Sequence, residues 1–270
     1  MIEMGFAEAL DALRKKKPLI HCITNYVTAG DTANMLLAMG ASPIMADDPA
    51  ETAEITQYAD ALVLNMGTLS ESHIAAMLNA AKTANSRGIP VVFDPVGVQL
   101  SEFRRAAARK ILSEIKVSII RGNLSEILYL GGIPVQSHGV DSGTEQNKGL
   151  NLTAAADVAR WNDCVCAVTG EKDIITDGDR AAQLLNGTNK LKRITGAGDM
   201  TTAVIAAFAA VIESDGSYSA AKFGTAFIGI CGEIAEGLEK NIGMGSFRRG
   251  LFDAAGTSSG IFAEALRIEE

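Results

Sequence analysis

The sequence predicts an α/β protein whose central sheet is mostly parallel and carries helices on both faces. Two observations predict it. Short, continuously apolar runs such as "ALVLN" (61–65) and "PVVFD" (90–94) have the character of strands buried on both sides. Longer segments with helical periodicity separate them, an order that calls for crossover connections between parallel neighbours. The 270 residues, 47% hydrophobic and 21% charged, suffice for one domain with a sizeable core. We therefore expect a single domain over 1–270.

The elements follow in order. "MIEMGFAEALDALRKKK" reads as an amphipathic helix closed by a basic cluster, and "PLIHCI" as a short strand. Residues 28–39 have helical spacing, "ASPIMA" is a brief strand, and an acidic helix covers 49–59. After the strand 61–65, a helix over 70–86 starts in a capping-box-like "SESH" and stops at Gly88. "VSIIRGN" is a further strand, and "CVCAVTGEKDIITDG" a strand, a turn and a second strand, opening an antiparallel insert near 173–186. Beyond residue 199 the pattern is nearly all helix, over 200–212, 217–240 and 247–267. The polar stretch 136–152 is expected to be a surface excursion, with an active-site flap as the alternative.

Composition narrows the function. A formal charge of −8 excludes a broad nucleic-acid or anionic-membrane surface, so a phosphate site here must be local. No apolar run reaches the ~18 residues of a bilayer span, and the N-terminus lacks the order of a signal peptide. Cys22, Cys164, Cys166 and Cys231 lie on apolar stretches without CxxC pairing, as expected of reduced core thiols. A soluble, cytoplasmic protein is expected.

In open α/β sheets, ligands bind beyond the carboxyl ends of the strands. Four strand ends carry polar or glycine residues there: Asn65 with Gly67, Asp94 with Gly97, Arg121 with Gly122 and Asn123, and Thr169 with Gly170. Neither GxxxxGK[ST] nor a Rossmann GxGxxG is present. The turn "ITGAGDMTTA" offers another way to hold an anion. The N–H groups of Gly196, Ala197 and Gly198 can converge at a helix N-terminus, where the helix dipole adds positive charge.

Asp199 then stands beside an anion. It suits a base that takes a proton from an attacking hydroxyl while the amides carry the charge of the transferred group. A carboxylate is a weak base towards a ground-state alcohol. Phosphoryl transfer softens that objection, because positioning and electrostatics dominate it. The alternative is a simple N-cap.

"NLSE" likewise allows two readings. Glu126 and Asp94 can hold Mg²⁺ through waters with Asn123 in support, or Asn123 and Glu126 form a capping box. Arg121 suits a nucleotide phosphate or an ion pair. Asn25 and the amides of Tyr26 and Val27 can receive a small polar substrate, and Met45 is a candidate apolar wall. His21 reads as a satisfied core histidine, His73 and His138 as solvated.

Taken together, "HCITNYVT", "GASPIMADDPAE", "LVLNMGTL", "PVVFDPVGVQ", "IIRGNLSEI", "AVTGEKDIITDG" and "ITGAGDM", in that order, closely resemble the hydroxyethylthiazole kinases. These belong to the ribokinase-like superfamily, and the resemblance spans about 7–265. "TGAGD" marks only the superfamily, whereas "ITNYV" with "SPIMADDPAE" is specific to the branch.

The resemblance implies a three-layer α/β/α sandwich and ATP-dependent phosphorylation of 4-methyl-5-(2-hydroxyethyl)thiazole in thiamine salvage, with Mg²⁺. It also implies a homotrimer with sites at subunit interfaces. By motif, Asn25, Val27 and Met45 line the thiazole site, with Gly67 at the adjoining strand tip and Gly196 at the substrate and anion hole. Arg121 and Thr169 contact ATP, Asp94 and Glu126 belong with the metal, and Asp199 takes the acid position of the turn. Some thiazole kinases carry Cys there; the Asp of this chain fits a base better than a thiol would. Three other readings compete: a hydroxymethylpyrimidine-type alcohol kinase, an ATP-dependent dehydratase of hydrated NAD(P)H, and a nucleotide sensor without turnover.

Overall fold

The computed structural model describes residues 4–133, 145–212, 216–238 and 243–270, with 145–150 described in backbone only. Nine strands form one sheet: β1 Leu19–Ile23, β2 Ser42–Ile44, β3 Ala61–Asn65, β4 Val91–Asp94, β5 Ile119–Asn123, β6 Val165–Thr169, β7 Asp173–Thr176, β8 Ala181–Leu184 and β9 Ile268–Glu269. Their order is β2-β1-β3-β4-β5-β6-β7-β8-β9. The first six are parallel, and β7, β8 and β9 continue the sheet antiparallel. Both edge strands are short, which limits pairing with other chains.

Eleven α-helices are described: α1 Phe6–Lys16, α2 Ala29–Met39, α3 Thr52–Thr56, α4 Glu71–Arg87, α5 Glu102–Glu114, α6 Leu124–Leu130, α7 Glu145–Asn162, α8 Ala197–Ala209, α9 Gly216–Gly237, α10 Met244–Ala255 and α11 Ser259–Ala265. They cover both faces of the sheet, the ribokinase-like three-layer arrangement expected. Alternation along each strand divides the core in two. In β3, Ala61 and Val63 face α1, α2, α8 and α9, whereas Leu62 and Leu64 face α4 and its neighbours. Among the described residues, no helix is long and apolar enough to cross a membrane.

Several expectations need correction. The helix expected over 247–267 is two, α10 and α11, because "GTSSG" stops one helix and starts the next, and the chain then adds β9 to the sheet. Of the surface excursion 136–152, residues 136–144 lie outside the described residues. Residues 145–152 are the start of α7, whose apolar face (Ala155, Val158, Ala159) packs in the core. α5 is an element the sequence reading did not find. It starts where the Ser101 hydroxyl accepts from the Arg104 N–H at 3.2 Å.

The two helices at the centre of one layer approach closely at Gly224 of α9. A Cβ there would lie 2.6 Å from the Ile205 Cα of α8. Gly224→Ala is therefore expected to lower stability by ~1–3 kcal/mol in urea unfolding, since backbone cannot yield as a flexible side chain does.

Candidate active site

The strand order reverses direction between β1 and β3, which makes their tips the topological switch point of the sheet. Parallel register then sets the polar ends side by side. Asn65 is paired with Asp94, and Asn123 with Thr169. Asn25, two residues past β1, donates from Nδ2 to Asn65 Oδ1 at 3.0 Å and so ties the switch point together.

The glycine turn opens α8 over these tips. Gly196 stands at the N-cap with φ +89°, in the left-handed region that glycine tolerates. A Cβ on it would meet Thr28 Cγ2 at 2.6 Å, and a Cβ on Gly198 would collide with the Arg121 guanidinium. The small residues therefore admit two side chains beneath the helix start as well as leaving amides open. First-turn N–H groups have no intrahelical acceptor, so those of Ala197 and Gly198 remain available for an anion.

Asp199 is the third residue of α8 and does not cap it. Its carboxylate reaches the strand tips instead. Oδ2 accepts from Asn25 Nδ2 at 2.9 Å and from the Thr28 hydroxyl, and Oδ1 accepts from Asn65 Nδ2 at 2.9 Å. A carboxylate offers about four acceptor positions. Three are occupied by donors that hold the group in place, which leaves one for an incoming hydroxyl.

Asp94 lies fully buried below. Its Oδ2 accepts from Thr202 Oγ1 at 2.7 Å, Asn65 Nδ2 at 3.1 Å and Arg121 Nη1 at 3.3 Å, while Oδ1 has no partner among the described residues. Burial pushes this carboxyl up to about 7. The Arg121 charge and the Thr202 bond pull it down, and the neighbouring Glu126 and Asp199 charges add to the rise. Arg121 also donates from Nη2 to Thr169 Oγ1.

Glu126 and Asn123 form a complete capping box at the start of α6. The Glu126 N–H reaches Asn123 Oδ1 at 3.0 Å, and the Asn123 N–H reaches Glu126 Oε2 at 2.8 Å. Glu126 Oε1 accepts the Gly97 N–H at 2.9 Å, which fastens the β4 tip loop to α6.

A cavity of about 540 Å³ extends from the turn and Arg121 to the Thr225–Gly229 face of α9. Its size suits a nucleotide-sized ligand. Arg121, Asn123, Thr169, Gly196, Ala197 and Gly198 all line it. Asn25 and Gly67 lie outside it and adjoin Asp199 through the strand tips, with Asn25 closely packed on Gly67. Met45 is half-buried against the core, and Val27 is 61% exposed beside Tyr26 at 81%.

Sequence reasoning missed Thr28, Thr202, Lys192 and Thr225. Thr28 and Thr202 adjoin motifs already singled out, "ITNYVT" and "GAGDMTT". Lys192 and Thr225 line the cavity from segments without a recognisable motif. His21 is a core residue: Nδ1 bonds Thr56 at 2.9 Å and Nε2 the Ala46 carbonyl at 2.7 Å. His73 is not freely solvated as expected, because its ring bonds the Thr68 carbonyl and Asp47. His138 lies outside the described residues. All four thiols are free and buried.

A mostly parallel sheet with an antiparallel edge, and a glycine turn opening a helix above the β1–β3 tips, define a ribokinase-like protein. A ribokinase-like superfamily protein from Enterococcus faecalis V583 shares this fold (TM-score 0.61, 11% identity, 91% of this chain and 93% of that one). The hydroxyethylthiazole kinase protein from Pyrococcus horikoshii OT3 superposes with a TM-score of 0.86 at 34% identity over 98% of each chain. In sequence, the hydroxyethylthiazole kinase of Clostridium beijerinckii is 44% identical over 275 aligned positions, 100% of this chain and 98% of that one. The model of the hydroxyethylthiazole kinase family matches residues 10–257. The chain belongs to the hydroxyethylthiazole kinase family.

Proposed function

We propose that the protein transfers the γ-phosphoryl group of ATP to the hydroxyl of 4-methyl-5-(2-hydroxyethyl)thiazole, in thiamine salvage. The observation that carries this reading is the position of Asp199. Its carboxylate sits at the β1–β3 tips, held by three donors with one acceptor position left, and it directly follows Gly198, which lines the nucleotide-sized cavity. ATP occupies the cavity, with Arg121 and Thr169 at its phosphates. The alcohol lies on the Asn25 side, walled by Gly67, Val27 and Met45.

The alcohol oxygen attacks the γ-phosphorus in line. As the O–P bond forms, the bond to the β-phosphate oxygen breaks, ADP departs, and the hydroxyl proton passes to Asp199. The Ala197 and Gly198 amides stabilise the charge on the transferred group.

Mg²⁺ fits the residues present as a hydrated ion. Asp94 keeps one buried oxygen without a partner, and Glu126 lies beside it with its oxygens on main-chain amides. Mg²⁺ retains waters and takes few protein ligands, so no closed cage is needed. When bound, it neutralises phosphate charge. Glu126→Gln removes the carboxylate and can keep the capping box, although its one amide oxygen serves only one of the Asn123 and Gly97 N–H groups. It is expected to raise the Mg²⁺ concentration needed for half-maximal rate ~10-fold in a metal titration, as does the loss of other groups that orient metal ligands. An unchanged titration would remove Glu126 from the metal's surroundings.

The family resemblance implies a homotrimer in which a neighbouring chain completes each pocket, and the exposed Tyr26 and Val27 offer apolar surface to such a neighbour. Sedimentation equilibrium tests the assembly. A cytoplasmic setting suits four free, buried thiols. The decisive assay supplies ATP and Mg²⁺ with the thiazole alcohol, a hydroxymethylpyrimidine, or hydrated NADH. Turnover of the thiazole alcohol above the others is expected. Preference for either other compound would overturn the assignment, and nucleotide binding without turnover would indicate a sensor.

A further inference from the structure

We propose that Arg104 of α5 is a positioning residue for the alcohol side of the site, acting through the main chain of the two strand tips. The inference rests on the phosphotransfer reading above. Arg104 donates from Nη1 to the carbonyls of Met66 and, at 2.7 Å, Val96, and from Nη2 to the Gly67 carbonyl at 2.5 Å. One guanidinium thus joins the loop beyond β3 to the loop beyond β4. A rigid, planar fork of donors suits this, and an ammonium cannot reproduce it. Among the described residues, no carboxylate pairs with it.

The segment it holds leads directly to the reacting groups. The Gly67 N–H donates to Asn65 Oδ1 at 2.9 Å, and the Met66 N–H to the Asp94 carbonyl at 3.0 Å. The absent side chain of Gly67 is the surface on which Asn25 rests, since a Cβ there would lie 2.6 Å from Asn25 Cβ. Asn25 in turn donates to Asp199. At the second tip, Gly97 has φ +67°, and a Cβ on it would approach Leu100 at 3.1 Å and the Arg104 stem at 3.6 Å. Arg104 therefore sets the height of the Gly67 floor, and through it the position of Asn25 and the direction of Asp199. Released, the β3 tip loop loses two charge-assisted bonds and the β4 tip loop one, and the alcohol loses the surface that aligns its hydroxyl.

The test is steady-state kinetics of Arg104→Ala and Arg104→Lys in the full-length protein, with melting temperatures measured alongside. For Arg104→Ala, kcat/KM for the thiazole alcohol is expected to fall ~10-fold or more while KM for ATP stays within about threefold. Arg104→Lys should recover part of the loss, and added guanidinium ion should restore activity to Arg104→Ala but not to Arg104→Lys. Unchanged alcohol kinetics would overturn the proposal. So would alcohol and ATP parameters that worsen together in step with the melting temperature, the mark of a structural staple. Should Arg104→Ala fail to fold, Arg104→Lys and Arg104→Gln carry the same comparison. Wild-type protein without turnover of the alcohol would overturn the phosphotransfer reading itself, before any variant is compared.

Discussion

Asp199→Asn should lower kcat by ~10²-fold or more while ATP affinity changes little. The substitution is nearly isosteric, so the effect tests chemistry rather than bulk. Asn lacks the charge that receives the hydroxyl proton. Its amide N–H would also face Asn65 Nδ2 or Asn25 Nδ2, which only donate; of the three partners the Thr28 hydroxyl alone can turn to accept. Asn65 cannot turn to accommodate it, because its oxygen already accepts from Asn25 and from the Gly67 N–H. Thermal unfolding should therefore show a modest loss as well, ~1–3 kcal/mol for mismatched donors. A variant within a few-fold of wild-type kcat would leave Asp199 as a structural acceptor for Asn25, Thr28 and Asn65.

Arg121→Met should produce the largest loss of stability, ~3–5 kcal/mol at alkaline pH in metal-free buffer, because it leaves a buried carboxylate without its cation. Its pH dependence follows from Asp94. A carboxyl whose folded-state pKa is raised contributes stability that is complete below its unfolded value near ~4 and is lost as pH rises through the folded value. In the wild type that loss runs up to about 7. Arg121 supplies the main influence holding the value down, so its removal extends the loss to higher pH. The gap between wild type and variant should be small at pH 5, where Asp94 is protonated in both folded states, and large at pH 8.5. Urea unfolding at the two pH values measures it. An equal gap at both would mean that the Thr169 bond and packing, rather than the Asp94 charge, account for Arg121. Nucleotide binding should weaken as well, since Arg121 lines the cavity.

The strand tips were legible because parallel strands buried on both faces end abruptly, and a polar residue after four apolar ones marks the end. Asn65, Asp94 and Thr169 were found that way, and Arg121 after the shorter run Ile119–Ile120. The glycine turn was legible as an anion site. The second use of its glycines, space for Thr28 and Arg121, depends on what packs opposite and has no local sign. The cross-links were not legible either. Asn65 and Asp199 are separated by 134 positions, and Arg104 and Gly67 by 37.

α5 escaped notice because "EFRRAAARKILSE" presents an alanine face between charges in place of a strong apolar stripe. The start of α7 was taken for a loop since "EQNKGLNL" is polar and contains a glycine. For Asn123 and Glu126, sequence allowed a capping box or a metal site. The structure shows the box, with the second Glu126 oxygen on the Gly97 N–H.

The most direct test is a crystal structure with a non-hydrolysable ATP analogue, Mg²⁺ and the thiazole alcohol. We expect the terminal phosphoryl oxygens ~3 Å from the main-chain nitrogens of Ala197 and Gly198, with the alcohol oxygen at similar range from the Asp199 carboxylate. A terminal phosphorus seated away from that helix start, or an alcohol whose oxygen faces elsewhere, would contradict the account.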